Sequence, residues 1–250
     1  MDEHVKTFHA PPPEVELPRA EPGAPSWASD HPAPVHVVEV TAERSADDPP
    51  EIPWHLAPAP GRVAMQLRTT MHRVLIGAGL ARRPELVEAV RNIPGVPGVA
   101  TSPAGGTFVV GGEGWLGLCA IGTLPDMRRA PLDWMMDALR AWFVAALRPL
   151  GVAVQVGRVE SAWCPGFSDI AVDGRKLVGL GFRVTRGVVV MRGVMATRPV
   201  SDADLALLQA CHRLIDLHVD PATLTSLAEA TGDGGWDDAR AIEHLRAVAT

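Results

Sequence analysis

Cys164 and Lys176 are the residues whose types and spacing carry chemistry in this chain. The thiol lies in Trp163-Cys164-Pro165-Gly166-Phe167-Ser168-Asp169 and the amine in Asp173-Gly174-Arg175-Lys176-Leu177-Val178-Gly179. A Pro-Gly turn after Cys164 presents its side chain on a loop rather than burying it in a strand. Asp-Gly is a strong hairpin signal, so Lys176 is expected at the start of the returning strand. A thiolate is both a good nucleophile and a good leaving group, and holding an acyl group as a thioester divides one hard transfer into two easier ones. Arg175, Lys176 and Arg183 lie close in sequence and would favour the thiolate. A Cys-His pair would need His212, His218 or a more distant histidine to fold back. On residue types alone, a catalytic and a structural Cys164 both stand.

The elements that must position this pair follow from periodicity. Val63, Leu67, Met71, Val74 and Leu75 recur at three- and four-residue spacings, which predicts a helix in the region from Gly61 to Asn92, followed by a short helix over Pro84 to Asn92. Residues 105–121 read as two short strands about a glycine-rich turn, with Cys119 as core. A strong amphipathic helix starts at Pro131 and carries Leu132, Met135, Met136, Leu139, Trp142, Phe143, Ala146 and Leu147 on one face until Arg148-Pro149 stops it. Val152 to Val156, Asp169 to Val172 and Val188 to Met191 are expected strands. Ser201 is an expected N-cap for a helix continued by Leu205, Leu208, Ile215 and Leu217, within which Cys211 and His212 read as a buried thiol and a satisfied core histidine. Pro221 to Ala230 and Trp236 to Val248 read as two closing helices.

Composition bounds the class. The chain has 250 residues, 47% of them hydrophobic, which suits one folded domain with room for an extension. Residues 1–60 hold 13 of the 23 prolines, so this stretch is expected to be a largely disordered arm, with a candidate strand at Val35 to Val40. No run approaches the roughly 18 apolar residues of a membrane span, and no basic region followed by an apolar stretch opens the chain, so a cytoplasmic protein is expected. Three widely spaced cysteines make neither a disulfide framework nor a zinc motif. A net charge of -6 argues against a general nucleic-acid binder. Between Ala171 and Val200, however, six basic residues face one acidic residue. That strip reads either as a dock for an acidic partner, carboxylate or phosphate, or as a solvated strand face.

The run from Ser161 to Arg183, Ser-Ala-Trp-Cys-Pro-Gly-Phe-Ser-Asp-Ile-Ala-Val-Asp-Gly-Arg-Lys-Leu-Val-Gly-Leu-Gly-Phe-Arg, resembles the central motif of the lipoate–protein ligase and octanoyltransferase superfamily, the biotin/lipoate A/B protein ligase catalytic domain. Gly105 to Leu116 and Val219 to Leu227 resemble two further segments in matching order, and the resemblance covers Val99 to Gly232. It implies an α/β (α+β) fold of the class II synthetase and biotin–lipoate ligase type: a mixed, mostly antiparallel sheet flanked by helices, over residues 61–250.

The resemblance also implies roles. Cys164 matches the nucleophile of the cysteine-dependent members, which move octanoyl or lipoyl groups between carrier proteins. Lys176 matches the lysine that meets the acyl carbonyl or the phosphate of an acyl-adenylate. Gly105, Gly106, Thr107, Asp169, Gly179 and Arg183 fall at substrate-binding positions. The implied partners are acyl carrier or lipoyl-domain proteins, expected to be acidic, with no nucleic acid, membrane or metal. Where the family carries an arginine and a serine before its glycines, this chain has Ser102-Pro103-Ala104; Gly111 replaces a histidine, Phe182-Arg183-Val184 keeps one of two arginines, and Gln66 to Thr69 lacks an acidic pair. These groups help hold a nucleotide, so acyl transfer without a cofactor is expected ahead of ATP- and magnesium-dependent ligation. A relative that binds an acyl chain or a protein without turnover is the remaining alternative.

Overall fold

Met65 decides the first element. Spacings of four residues satisfy a two-residue repeat as well as a helical one, and Val63, Met65 and Leu67 are all buried while Ala64, Gln66 and Arg68 are not. The segment is therefore a strand, β2 (Val63–Thr69), and the next is β3 (Arg73–Gly77), with Val74 and Ile76 buried. The helix expected over Val63 to Leu75 is thus corrected to two strands, and Met71 lies exposed between them. The computed structural model describes residues 35–37, 58–124, 131–185 and 187–247. Most of the Pro-rich stretch lies outside the described residues. Within it β1 (Val35–Val37) pairs parallel with β2, and the rest of the candidate strand to Val40 is outside them.

The main sheet adds β6 (Trp115–Thr123), β7 (Val154–Val156), β8 (Ile170–Val172), β9 (Arg175–Thr185) and β10 (Val188–Ala196) in the order β1-β2-β6-β10-β9-β8-β7. Every pairing except β1 with β2 is antiparallel. A second sheet, β4-β3-β5, contains β4 (Val99–Ser102) and β5 (Phe108–Gly111). Helix α1 (Pro84–Arg91) buries Leu86 and Val90 against Val74, Ile76 and Phe108 of that sheet. The fold is the mixed, mostly antiparallel sheet with flanking helices that the sequence implied.

One face of the main sheet is packed by α2 (Pro131–Leu147), whose Met135, Leu139 and Phe143 meet Met65, Leu118 and Met191. Leu132, expected on that face, is 41% exposed at the first turn. Helix α3 (Asp202–Arg213) lies on the opposite side and starts where the N-cap signal placed it, with Ser201 Oγ accepting from the Asp204 amide. It ends before Ile215 and Leu217, because the chain turns at Asp216, whose φ is +57°. The closing helices are shorter than the pattern predicted. Thr225 donates its amide to the Lys176 carbonyl and Leu224 bridges to Lys176, so residues 224–225 run along β9. Helix α4 (Leu227–Thr231) then starts at a Ser226/Glu229 capping box, and α5 (Asp238–Ala247) follows a buried Trp236.

Candidate active site

The second sheet stands over the face of the main sheet opposite α2, and the two enclose a cavity holding about 680 Å³ of space, part of it open to solvent. Leu75, Gly77 and Val109 close it from above; Gly117, Gly179, Gly181 and Val194 form its floor. Glycine at the floor is a packing requirement as much as a conformational one. A Cβ on Gly179 would enter the Trp163 ring and come within 2.9 Å of Lys176 Cε.

Cys164 stands at the edge of this cavity on the loop between β7 and β8. Its φ is +44°, a left-handed conformation that costs a non-glycine residue of order 1 kcal/mol or more and persists where surroundings enforce it. Lys176 Nζ donates to the Trp163 carbonyl at 2.7 Å and to the Cys164 carbonyl at 2.7 Å, and pairs with Asp169 Oδ1 at 2.9 Å. Asp169 Oδ2 in turn accepts the Gly166 amide at 3.0 Å, closing the Cys-Pro-Gly turn. Trp163 is buried with its ring 4.1 Å from the ammonium, a cation–π contact.

A β-bulge accounts for the placement of Lys176. Ile170 pairs with Val178 but Ala171 pairs with Lys176, so Leu177 is an extra residue on β9. Strict alternation would put positions 176 and 179 on opposite faces; the bulge puts both on the Cys164 side.

An ammonium has three protons, and Lys176 has three acceptors while being fully buried. Burial pushes its pKa below the ordinary lysine range, with the Asp169 carboxylate and then Cys164 pulling it back. Burial likewise pushes Asp169 up, opposed chiefly by the Lys176 charge. Lys176 does not line the cavity, so in this geometry its protons hold the thiol-bearing loop rather than facing an acyl carbonyl.

The thiol itself meets the glycine loop. The Thr107 amide donates to Cys164 Sγ at 3.0 Å, and a Cβ on Gly106 would lie 2.8 Å from that sulfur, so only glycine allows the approach. Cys211, on α3, is buried, and burial pushes its thiol up to about 11.

The structure therefore brings Cys164, Gly105, Gly106, Thr107 and Gly179 together at the cavity and sets Lys176 and Asp169 directly beneath. Arg183 is exposed further along β9 and does not line it. The two charged residues of the cavity lining were missed. Arg68 and Arg192 reach it from β2 and β10, and the signal was in the alternation: both occupy the face that the buried Met65 and Met191 do not. His212 is the buried, hydrogen-bonded histidine the sequence suggested, and it also lies against the thiol loop. Its ring is buried, and its Nε2 lies 3.1 Å from the Cys164 amide nitrogen and 3.0 Å from Thr107 Oγ1.

A two-sheet α/β domain with a thiol on a Cys-Pro-Gly turn and a lysine beneath it is the arrangement that the sequence resemblance implied. Residues 72–232 match the lipoyl protein ligase A/B catalytic domain, and the chain belongs to that family. It is 28% identical over 131 residues to an octanoyl-[GcvH]:protein N-octanoyltransferase of Geobacillus kaustophilus, covering 50% of this chain and 45% of that protein. A protein of the same description from an Exiguobacterium species is 26% identical over 179 residues, covering 66% and 63%. The chain thus spans less than two thirds of the length of these relatives. Among solved structures, lipoate-protein ligase A bound with ATP superposes with a TM-score of 0.55 at 17% identity, over 88% of this chain and 83% of that one. Ta0514 of T. acidophilum with bound lipoic acid gives 0.53 at 14% identity, over 87% and 84%. These two likenesses concern the fold. No helix among the described residues is long and apolar enough to cross a membrane.

Proposed function

We propose that this protein is an octanoyl or lipoyl protein transferase that carries the acyl group on Cys164 as a thioester and delivers it to a lysine of a lipoyl-domain protein. The observation that carries this reading is Cys164 Sγ at the cavity edge with the Thr107 amide directed at it. The thiolate attacks the donor's acyl carbonyl, and the donor's carrier group leaves with the bonding pair and takes up a proton. The acceptor amine then attacks the thioester and loses a proton, and the Cys164 thiolate departs. The Thr107 amide already reaches the sulfur at 3.0 Å, so it is placed to donate to an oxyanion formed beside that sulfur in each addition step.

Within this reading Lys176 and Asp169 are positioning residues that fix the strained Cys164, while Gly105, Gly106, Thr107 and Gly179 give the acyl group close backbone approach. Octanoylated GcvH, named in the descriptions of the relatives, is the donor of choice. The reaction needs no ATP or magnesium, and a reaction on reduced carrier proteins by a free thiol belongs in the cytoplasm.

Intact-protein mass after incubation with octanoyl-GcvH, without ATP, tests the reading. One octanoyl group on the wild type and none on Cys164→Ala is the expected result. No adduct on either protein, together with ATP-dependent lipoate attachment by Cys164→Ala, would replace the transferase by a ligase.

A further inference from the structure

His212 sits on α3, far from the thiol in sequence, yet it touches both halves of the site. Its Nδ1 lies 2.7 Å from the Leu208 carbonyl, which can only accept, so Nδ1 carries the proton. Its Nε2 faces the Cys164 amide, which can only donate. The two partners assign the same tautomer independently, with a lone pair on Nε2 shared between the Cys164 N–H and the Thr107 hydroxyl. The Phe108 ring packs against the imidazole edge at 5.5 Å between centroids and fixes its plane.

We propose that His212 is a positioning residue for Cys164: its Nε2 ties the Cys164 amide to the Thr107 hydroxyl and so holds the thiol against the Thr107 amide. The Cys164 loop and the glycine loop come from distant parts of the chain. Their mutual placement decides whether sulfur meets its N–H at 3.0 Å, and His212 is the side chain bonded to both. Lys176 holds the same loop through the carbonyls of Trp163 and Cys164, so the Cys164 peptide is gripped on its acceptor side by a cation and on its donor side by a neutral imidazole. Burial and the Lys176 charge both favour that neutral form. This inference rests on the reading of Cys164 as the acyl-carrying thiol, but not on the identity of the acyl group.

The test separates the two. The rate of Cys164 alkylation by iodoacetamide is measured for wild type, His212→Leu, His212→Gln and Thr107→Val, alongside kcat and KM for octanoyl transfer and the thermal unfolding midpoint. Gln places an oxygen acceptor near the position of Nε2; Leu does not. A misplacement near 1 Å at a reacting group costs about 100-fold, so His212→Leu is expected to lose about that much in kcat with KM within about twofold. Alkylation should slow by about tenfold, and His212→Gln should recover most of both losses. Should His212→Leu fail to fold, His212→Gln and Thr107→Val still decide. A Thr107→Val protein with a native midpoint and reduced kcat and alkylation supports the tie. Wild-type kcat and alkylation rates in Thr107→Val, or no recovery in a folded His212→Gln, would overturn it. Loss of octanoyl transfer by the wild type with the alkylation pattern intact would sink the proposed substrate and leave the His212 role standing.

Discussion

The two faces of the main sheet are built from the same strands by alternating residues, and they do opposite things. On the α2 face even a glycine is covered: a Cβ at Gly122 would meet Met135 Cε at 2.7 Å and Trp134 carbons beside it. On the other face, glycines at 117, 179 and 181 let Thr70, the Trp163 ring and the Gly105 carbonyl approach the sheet closely, and the second sheet roofs a cavity over them. The first face stabilises the fold by apolar burial. The second keeps an apolar cluster about Trp115, Trp163 and Val194 and adds specific polar contacts, Lys176 to two carbonyls and a carboxylate, His212 to an amide and a hydroxyl. Substitutions on the two faces should therefore separate activity from stability.

Cys164→Ala is the sharpest case. It removes the nucleophile while leaving the loop's carbonyl contacts in place, so transfer should fall by at least about 1,000-fold, a loss of the scale seen when a nucleophile is removed. The denaturation midpoint should stay close to wild type. A Cys164→Ala protein that transfers octanoyl at the wild-type rate would erase the functional half of the comparison. Phe143→Ala inverts the pattern. Its ring is fully buried on the α2 face, and truncation there costs about 3–5 kcal/mol in chemical denaturation with activity per folded molecule preserved.

Lys176→Met lies between these extremes and reports on both. It leaves the Asp169 carboxylate buried without its cation, for which about 3–5 kcal/mol is expected. It also frees the carbonyls that hold Cys164 at positive φ, so transfer should fall as well. Adding Asp169→Leu should restore part of the stability but not the rate. If the double variant recovers both, the pair serves folding alone.

How much of this was legible depended on whether the signal was local. The Asp173-Gly174 turn was readable because both residues adopt positive φ, 50° and 73°, as that dipeptide favours. The Cys-Pro-Gly loop, α2 and the start of α3 were readable for similar reasons. The strand at Val63 was misread because a four-residue spacing is ambiguous between two periods, and tertiary pairing with β6 decides it. The contacts of Lys176 were hidden by the bulge at Leu177, since which way the lysine points depends on a register shift against β8 that the spacing from Lys176 to Gly179 does not announce. His212 was hidden by separation: it meets residues 48 and 105 positions away, and only the folded sheet brings them together.

Gly117→Ala tests the cavity face at its smallest scale. The added methyl would meet Thr70 Cγ2 at 2.9 Å and the flexible Arg68 side chain at 3.2 Å, so the neighbours must give but the backbone need not. Stability should change by less than about 1.5 kcal/mol, while the cavity shortens by one carbon. One methylene in such a pocket is worth about 10-fold or somewhat more in kcat/KM, so preference should move toward an acyl chain shorter than octanoyl by roughly that factor. Unchanged chain-length preference would mean that the acyl tail does not lie over Gly117.

The gentlest perturbation is acid. His212 is neutral in the fold, and burial, aided by Lys176, holds its pKa below the unfolded value of about 6.5. The unfolded chain therefore binds more protons in the window below that value, and stability from this group, fully present above it, is lost as pH falls through the window. The titratable groups around the ring are Lys176 from β9, with Asp169 paired to it, Cys164 from the loop and Cys211 beside it on α3. Asp169 has the opposite sign, because its pKa is raised, so its contribution grows with acid and partly masks that of His212. Comparing wild type with His212→Gln cancels the Asp169 part. The acid loss of stability between about pH 7 and 5 should be steeper in the wild type than in the variant; parallel curves would mean that His212 already titrates normally, and that the imidazole is not held as the neutral acceptor on which the donor side of the Cys164 peptide depends.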